Sequence, residues 1–454
     1  MRKDRYIAIS SNAKWLFWFL IENYCVIDEV SETQTELAKR AGMGIRSFRA
    51  ACNELVEAKL LDKAFHKPAK EEPRCTFRIQ HEMCFKGSFV GKNVTKWDSY
   101  STAVFQIEGI KRLEKLVLLS LILNSDDDGF VVNLGLSDIG RMCGMSKERV
   151  KRYVNCLVSK GYLYQVTLGA TGKGLFGLLP GSYTVNLMPI HNQCSYRIHK
   201  CTHQDVRDSI GIWHIVKYLE QVAREHAVEL KMLSKYRDLS SSIPSTLLLN
   251  SYSKCGGGLK LTVHEMCKDL IEQIPSKQIV GILQSHMDKT VTYVLNHHKN
   301  EVRNWVLEPM TIELISRYWR EFVVPEQKVI ALLDQAQGGD DLSYPETKSR
   351  TEDIERGDLL VHWFSQLVAY QALYVARCVH ILCGASVDNA TKLVFIGDDK
   401  EGRSWSIFRV VEMSQCDYEA DTHMRKVNIT RDKYQVIDLV RPPKLKHGEN
   451  DSVI

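Results

Sequence analysis

The sequence predicts a mainly α-helical protein with small β-structure, divided among several domains. Three observations predict it. The chain has 454 residues, about three times the ~150 of an average domain. Its 44% hydrophobic and 25% charged residues match an ordinary folded globular protein rather than a collagenous, mucin-like or wholly disordered chain. Finally, a stretch with helical apolar spacing occurs twice. Residues 37–61, LAKRAGMGIRSFRAACNELVEAKLL, align without a gap on residues 139–163, IGRMCGMSKERVKRYVNCLVSKGYL. Gly42, Met43, Asn53, Leu55, Val56 and Leu61 match Gly144, Met145, Asn155, Leu157, Val158 and Leu163, while Phe48 and Cys52 stand over Val150 and Val154.

In the first copy, Trp15, Leu16, Phe17, Phe19 and Leu20 form an apolar helix after Ser11. Thr33 precedes Glu36 by three residues, the spacing of a capping box, so a short helix runs from Gln34 to Ala41 and ends at Gly42. A second helix from Ile45 to about Ala58 places Phe48, Cys52 and Leu55 on one face and Arg46, Ser47, Arg49 and Asn53 on others. Leu60–Ala64 and Cys75–Gln80 alternate as strands around a basic tip, His66–Arg74.

The second copy repeats this order. A helix from about Ile110 to Asn124 stops at the run of Asp126, Asp127, Asp128 and Gly129. Ser137 is positioned to cap a short helix, Gly144 to turn the chain, and Ser146 to cap the next helix, which buries Val150, Val154 and Leu157 and presents Lys147, Arg149, Lys151 and Arg152. Strands at Tyr162–Leu168 and Ser182–Leu187 flank a mobile Gly-rich tip, residues 169–177, bearing Lys173.

Helix, helix–turn–helix, then a two-stranded hairpin resembles a winged helix. TQTELAKRAGMGIRSF and LSDIGRMCGMSKERV are similar to the pattern of bacterial winged helix-turn-helix regulators. One departure is Gly44, which stands where Ser146 caps the equivalent helix; Gly as N-cap costs only a few tenths of a kcal/mol against Ser, so the resemblance holds. The resemblance implies two winged-helix domains, residues 1–90 and 91–190, whose recognition helices at Ile45–Ala58 and Ser146–Lys160 enter the major groove of double-stranded DNA. Arg can pair there with guanine and Asn with adenine, while Lys and Arg hold phosphates. The implied contacts are Arg46, Ser47, Arg49 and Asn53 in the first domain, Lys147, Arg149, Lys151 and Arg152 in the second, and Lys67, Lys70 and Lys173 in the wings. Glu54 and Glu57 offset the charge of the first helix. Two such domains suggest binding across adjacent major grooves, about 34 Å apart, and a homodimer would double that footprint.

The charge distribution agrees with this placement. Net charge is +5, but residues 1–190 hold 27 Lys and Arg against 20 Asp and Glu, and the remainder 33 against 35. Thirteen Cys without a regular framework read as reduced thiols. The N-terminus lacks an apolar core with a cleavage site, so a cytoplasmic, nucleoid-associated protein is expected, with no membrane partner.

Chemical motifs are weak. His199, Cys201 and His203 alternate within a His/Cys cluster at 191–203, whereas zinc ligands are usually two to five residues apart; a short strand or a linker suits them better. GATGKG at 169–174 lacks the order of a phosphate-binding loop, and Asp340, Asp341, Glu346 and Lys348 lie in a loop-like stretch rather than on strands. No catalytic residue, metal or cofactor is expected.

Beyond residue 205 no family resemblance is evident. Ile212, Ile215, Val216, Leu219 and Val222 mark a helix over 210–237, and further helices are expected at 262–273, 278–296, 311–320 and 325–336, giving a helical domain over 205–336. After a polar boundary at 337–350 comes an α+β domain over 351–441, dimerising or sensing a small-molecule or protein signal. It combines an all-round apolar helix at Leu359–Leu382 with strands at 392–397, 404–411 and 434–440; 442–454 reads as a disordered tail. Three functions follow in order: a transcription regulator reading an operator, a plasmid or mobile-element replication initiator, and a DNA-targeted enzyme or adaptor with its activity C-terminal.

Overall fold

The computed structural model describes residues 9–24, 32–66, 74–79, 95–171, 178–187, 190, 194–202, 212, 215–216, 219–220, 268–272, 274, 277–304, 308–323, 344–383, 392–397 and 407–415. The chain forms two compact units. Among the described residues the first comprises 9–166 and 181–190, the second 167–180 and 194–415. Helices predominate and the strands are short.

In the first unit, α1 (Ser11–Asn23) starts where the Ser10 hydroxyl accepts the Ala13 N–H. Before α2 (Gln34–Arg40) the expected capping box is present: Thr33 Oγ1 accepts the Glu36 N–H at 3.3 Å and Glu36 Oε2 accepts the Thr33 N–H at 3.1 Å. Gly42 turns the chain at φ +63°, a left-handed conformation that favours glycine. Gly44 then opens α3 (Ile45–Glu57) without a side-chain cap. Strands β1 (Leu61–His66) and β2 (Arg74–Ile79) pair antiparallel from Leu61–Ile79 to His66–Arg74. The ladder therefore runs farther into the tip than the alternation implied. Lys67 and Lys70 lie outside the described residues.

The second copy is preceded by a helix the periodicity did not reveal, α4 (Thr95–Gln106). Then come α5 (Arg112–Leu123), β3 (Phe130–Val131), α6 (Leu136–Cys143), α7 (Lys147–Ser159) and β4 (Leu163–Thr167). After the pair β5 (Ala170–Thr171) and β6 (Leu178–Leu179) follows β7 (Ser182–Val185), which lies between β3 and β4 in a three-stranded sheet. Ser146 caps α7 as expected, its hydroxyl accepting the Arg149 N–H. Ser137 does not cap α6: Gly135 is the N-cap, and Asp138, three residues on, reaches back to accept its N–H at 3.2 Å. The tip between β4 and β7 also differs from expectation. Ala170 and Leu179 are buried among the apolar residues of the second unit, which draws the base of the tip into a core. Lys173 lies outside the described residues.

The duplication is legible bond by bond. Met43 N–H bonds to the Ala38 carbonyl at 2.8 Å and Met145 N–H to the Gly140 carbonyl at 2.8 Å. Leu60 N–H bonds to Leu55 at 2.9 Å and Tyr162 N–H to Leu157 at 2.9 Å. Gly42 and Gly144 share a left-handed φ of +63° and +64°, as do Lys59 and Gly161 where the helices end.

In the second unit, β8 (Cys194–Thr202) and β9 (Lys392–Gly397) flank β10 (Ile407–Gln415), both antiparallel to it. The alternating His/Cys segment is thus a strand: Cys194, His199 and Cys201 stand opposite Gln415, Val410 and Phe408, while His191 and His203 lie outside the described residues. The strand expected at 404–411 is shifted to Ile407–Gln415. Helices α8 (Lys277–His297), α9 (Lys299–Asn304) and α10 (Pro309–Val323) pack on α11 (Tyr344–Cys383). Helical residues Ile212, Ile215, Val216 and Leu219 join the same core. So do Trp319, Trp363 and Phe364, and the Trp319 and Phe364 rings meet edge-on with centroids 5.7 Å apart. Half of the polar stretch 337–350 is helical, since α11 begins at Tyr344. Pro345 suits a first turn, where its missing N–H costs nothing, and Glu346, Lys348 and Arg350 are good helix formers. The segments 325–336, 434–440 and 442–454 lie outside the described residues. No helix among the described residues is long and apolar enough to cross a membrane.

Candidate nucleic-acid interface

Helices α3 and α7 are built alike. Each buries one stripe, Phe48, Ala51, Cys52 and Leu55 in α3 and Val150, Tyr153, Val154 and Leu157 in α7. A 100° step per residue then carries the polar residues to the other side. Arg46, Arg49 and Asn53 are exposed on α3, and Lys147, Arg149, Lys151, Arg152 and Asn155 on α7; Ser47 is half-buried on the flank of α3. Eight of the eleven residues predicted from sequence therefore sit on these two helices, and the other three, Lys67, Lys70 and Lys173, lie outside the described residues.

Several of these side chains are already oriented. Arg49 Nε donates to Gln34 Oε1 at 3.0 Å, tying α3 to α2. The Arg152 guanidinium lies 5.2 Å from the centre of the Tyr153 ring. Burial raises the Tyr153 phenol, but hydrogen bonds and positive charge from Arg149 and Arg152 outweigh it and bring it below its ordinary value. Arg46 and Lys151 are exposed with no ion pair among the described residues, and Lys147 is exposed beside Glu148.

Of the two acids that the sequence sets against the charge of α3, Glu57 is exposed on the helix and Glu54 is engaged elsewhere. Glu54 does not offset the charge of α3. Its carboxylate accepts the Ser10 N–H and hydroxyl, both at 2.5 Å, at the start of α1 where a negative charge complements the helix dipole. Glu148 is held below the usual carboxylate range by its own backbone N–H and by the Ser146 hydroxyl, so it serves the N-terminus of α7.

The two copies interlock through their turns. The Ser11 N–H at the start of α1 donates to the Gly144 carbonyl at 3.1 Å. Arg112 at the start of α5 donates from Nη1 to the Gly42 carbonyl at 2.8 Å and from Nη2 to Asn12 Oδ1 at 3.2 Å. Lys14, fully buried on α1, donates to the carbonyls of Arg141 at 2.9 Å and Met142 at 2.7 Å, the negative end of α6. Its burial pushes the ammonium down to about 8, against the opposing influence of Cys143 and Glu54. A side chain on Gly144 would place its Cβ 2.4 Å from the Ile9 carbonyl oxygen, whereas the Cβ site of Gly42 is open. Helix α4 adds to the junction: Trp18 Nε1 donates to Ser101 Oγ at 2.7 Å, and Trp15 stacks on Phe105 with centroids 5.4 Å apart.

The sequence gives no sign of the roles of Lys14 and Arg112, and it sets Glu54 against the charge of α3 rather than at the start of α1. One signal was available. Trp15 to Leu20 and Leu116 to Leu123 are apolar or small on every face, and both runs are wholly buried, which requires partners on more than one side. That pattern foretells packing between copies but not which polar groups make it.

The second unit carries a different polar cluster. Gln284, Ser285, His286, Asp288, Thr290 and Thr292 are all buried along α8. Gln284 Nε2 donates to Asp288 Oδ1 at 2.7 Å while its Oε1 accepts the Ile212 N–H at 2.8 Å. His286 lies 2.6 Å from Tyr318 Oη and stacks on Phe322; burial, with the charge of Lys289, holds it neutral, well below its usual range. Most of these polar groups are hydrogen-bonded to one another or to neighbouring elements, Ser285 to Thr167, His286 to Tyr318 and Thr290 to Trp319, the arrangement of a structural network.

No family model matches the chain, and comparison with curated proteins returns no match.

Proposed function

We propose that this chain is a sequence-specific double-stranded DNA-binding protein, a transcription regulator that reads an operator through α3 and α7 of two winged-helix modules. One observation carries the reading. In both copies of a duplicated helix–turn–helix, the face opposite the buried stripe presents cations and an Asn, Arg46, Arg49 and Asn53 on α3 and Lys147, Arg149, Lys151, Arg152 and Asn155 on α7. Of the acids, Glu54 is engaged at the start of α1, Glu148 lies beside Lys147 at the start of α7 and Glu57 is exposed. Exposed cations hold phosphates, and Arg and Asn on the same helix can read base edges. The sheet β3–β7–β4 beside α7 supplies the hairpin side of such a module.

The test is a mobility-shift titration with full-length protein across a range of salt. Arg149→Ala with Arg152→Ala is expected to weaken binding and lower the salt slope by about two, because each neutralised phosphate contributes about 0.9. An unchanged affinity and slope would remove α7 from the interface. Genome-wide occupancy then separates regulation, with peaks at promoters, from initiation of replication, with one peak over repeated sites.

A further inference from the structure

The way the copies meet constrains the nucleic acid they would read. Their first helices correspond at an offset of one residue fewer than their turns do. Asn23 and Asn124 mark it, each donating from Nδ2 to the carbonyl four residues back, Phe19 at 2.8 Å and Ser120 at 2.7 Å. In that register Ser11 is the counterpart of Arg112, both being the first residue of their helix, while in the register of the turns Gly42 is the counterpart of Gly144. The bond from the Ser11 backbone N–H to the Gly144 carbonyl and the bond from the Arg112 guanidinium to the Gly42 carbonyl therefore join the same two positions in both directions, through different donor groups, whereas Lys14 and its counterpart Lys115 reach carbonyls that do not correspond. Reciprocity of this kind is the mark of an isologous contact, which a two-fold axis generates and a head-to-tail arrangement does not.

We propose that the first unit is a single-chain equivalent of a symmetric DNA-binding dimer, and that its substrate is an imperfect inverted repeat read by one chain, one arm per module. The proposal rests on the DNA-binding reading above, since a two-fold relation between helix–turn–helix modules is mirrored in the symmetry of the site they read.

The paired positions state how the arms differ. Asn53 answers to Asn155 and Arg49 to Lys151, alike in chemistry, and all four are exposed. Ala50 answers to Arg152, Ser47 to Arg149 and Arg46 to Glu148, which differ in charge. Asn pairs bidentately with adenine and Arg with guanine. Both arms should therefore carry the same base opposite Asn53 and Asn155 and different bases opposite Ala50 and Arg152.

The test is selection from randomised duplexes with the full chain, followed by native mass spectrometry of the complex. The expected product is two unequal arms in inverted orientation with one chain per duplex. Inserting about five base pairs between the arms, half a turn of B-DNA, should weaken binding at least about tenfold. Ala50→Arg should shift the base selected in one arm towards that of the other. Arms in direct orientation, a single unrepeated motif, two chains per duplex, or indifference to the insertion would each overturn the proposal while leaving DNA binding intact. Absence of any salt-dependent shift, on selected or random duplex, would defeat the DNA-binding reading and the proposal together.

Discussion

The Lys14 ammonium, with none of its side chain exposed, sits 2.7 Å from the carbonyl oxygen of Met142, more than a hundred residues away in the other copy of the repeat. It satisfies two carbonyls at the C-terminus of α6 at the expense of desolvating a charge. Lys14→Met should strand both carbonyls and destabilise the first unit by about 1–3 kcal/mol. The pH dependence has a definite sign. Because the folded-state value is depressed to about 8 from 10.5, the unfolded chain binds more protons between those values, and stability contributed by Lys14 rises with pH across that window and is lost as pH falls through 8. Denaturant midpoints at pH 7.5 and 9.5 check this; the rise should vanish in the variant.

The two turn glycines should respond unequally to the same substitution. Gly42→Ala meets only the left-handed backbone penalty of about 1–2 kcal/mol, since its Cβ site is open. Gly144→Ala adds a clash with backbone atoms of Ile9, Ser10 and Ser11, so it should cost about 1–3 kcal/mol more. Equal thermal shifts for the two variants would contradict the interlocked junction.

Capping chemistry offers a second paired comparison. Ser146→Ala removes the hydroxyl that accepts the Arg149 N–H and should cost about 1 kcal/mol. Gly44→Ser, at an open position with extended backbone, should stabilise by a few tenths of a kcal/mol. Thermal melts of the two variants measure both.

Acid should weaken the second unit through His286. Burial and Lys289 hold it neutral in the fold, while the unfolded residue protonates near 6.5. Stability is therefore full above 6.5 and falls as pH drops below it. His286→Gln should flatten that slope in a pH series of unfolding midpoints.

Local pattern served well wherever a residue's neighbours in sequence are also its neighbours in space. The Thr33–Glu36 capping box, the left-handed Gly144, the Ser146 cap and the buried stripes of α3 and α7 depend on contacts within a few residues, so spacing was enough to place them. The same rule misassigned the cap of α6, where Ser137 and Asp138 are adjacent and only backbone geometry selects the second. It also missed α4, whose buried face, Trp97, Ser101 and Val104, has helical spacing but carries only two apolar residues, too few for the apolar pattern to stand out.

A repeated segment, two basic helices and an excess of positive charge before residue 190 could be read from the chain alone, because composition and periodicity are properties of short windows. Two relationships required the folded molecule: the assignment of Glu54 to Ser10, and the reciprocal meeting of Ser11 with Gly144 and Arg112 with Gly42. Each joins polar groups dozens of residues apart, and a hydrogen bond leaves no periodic trace in sequence. The apolar surround of α1 and α5 announces that two copies must pack, but directional bonds to specific carbonyls settle how, because apolar contact is non-directional whereas a hydrogen bond needs one donor against one acceptor.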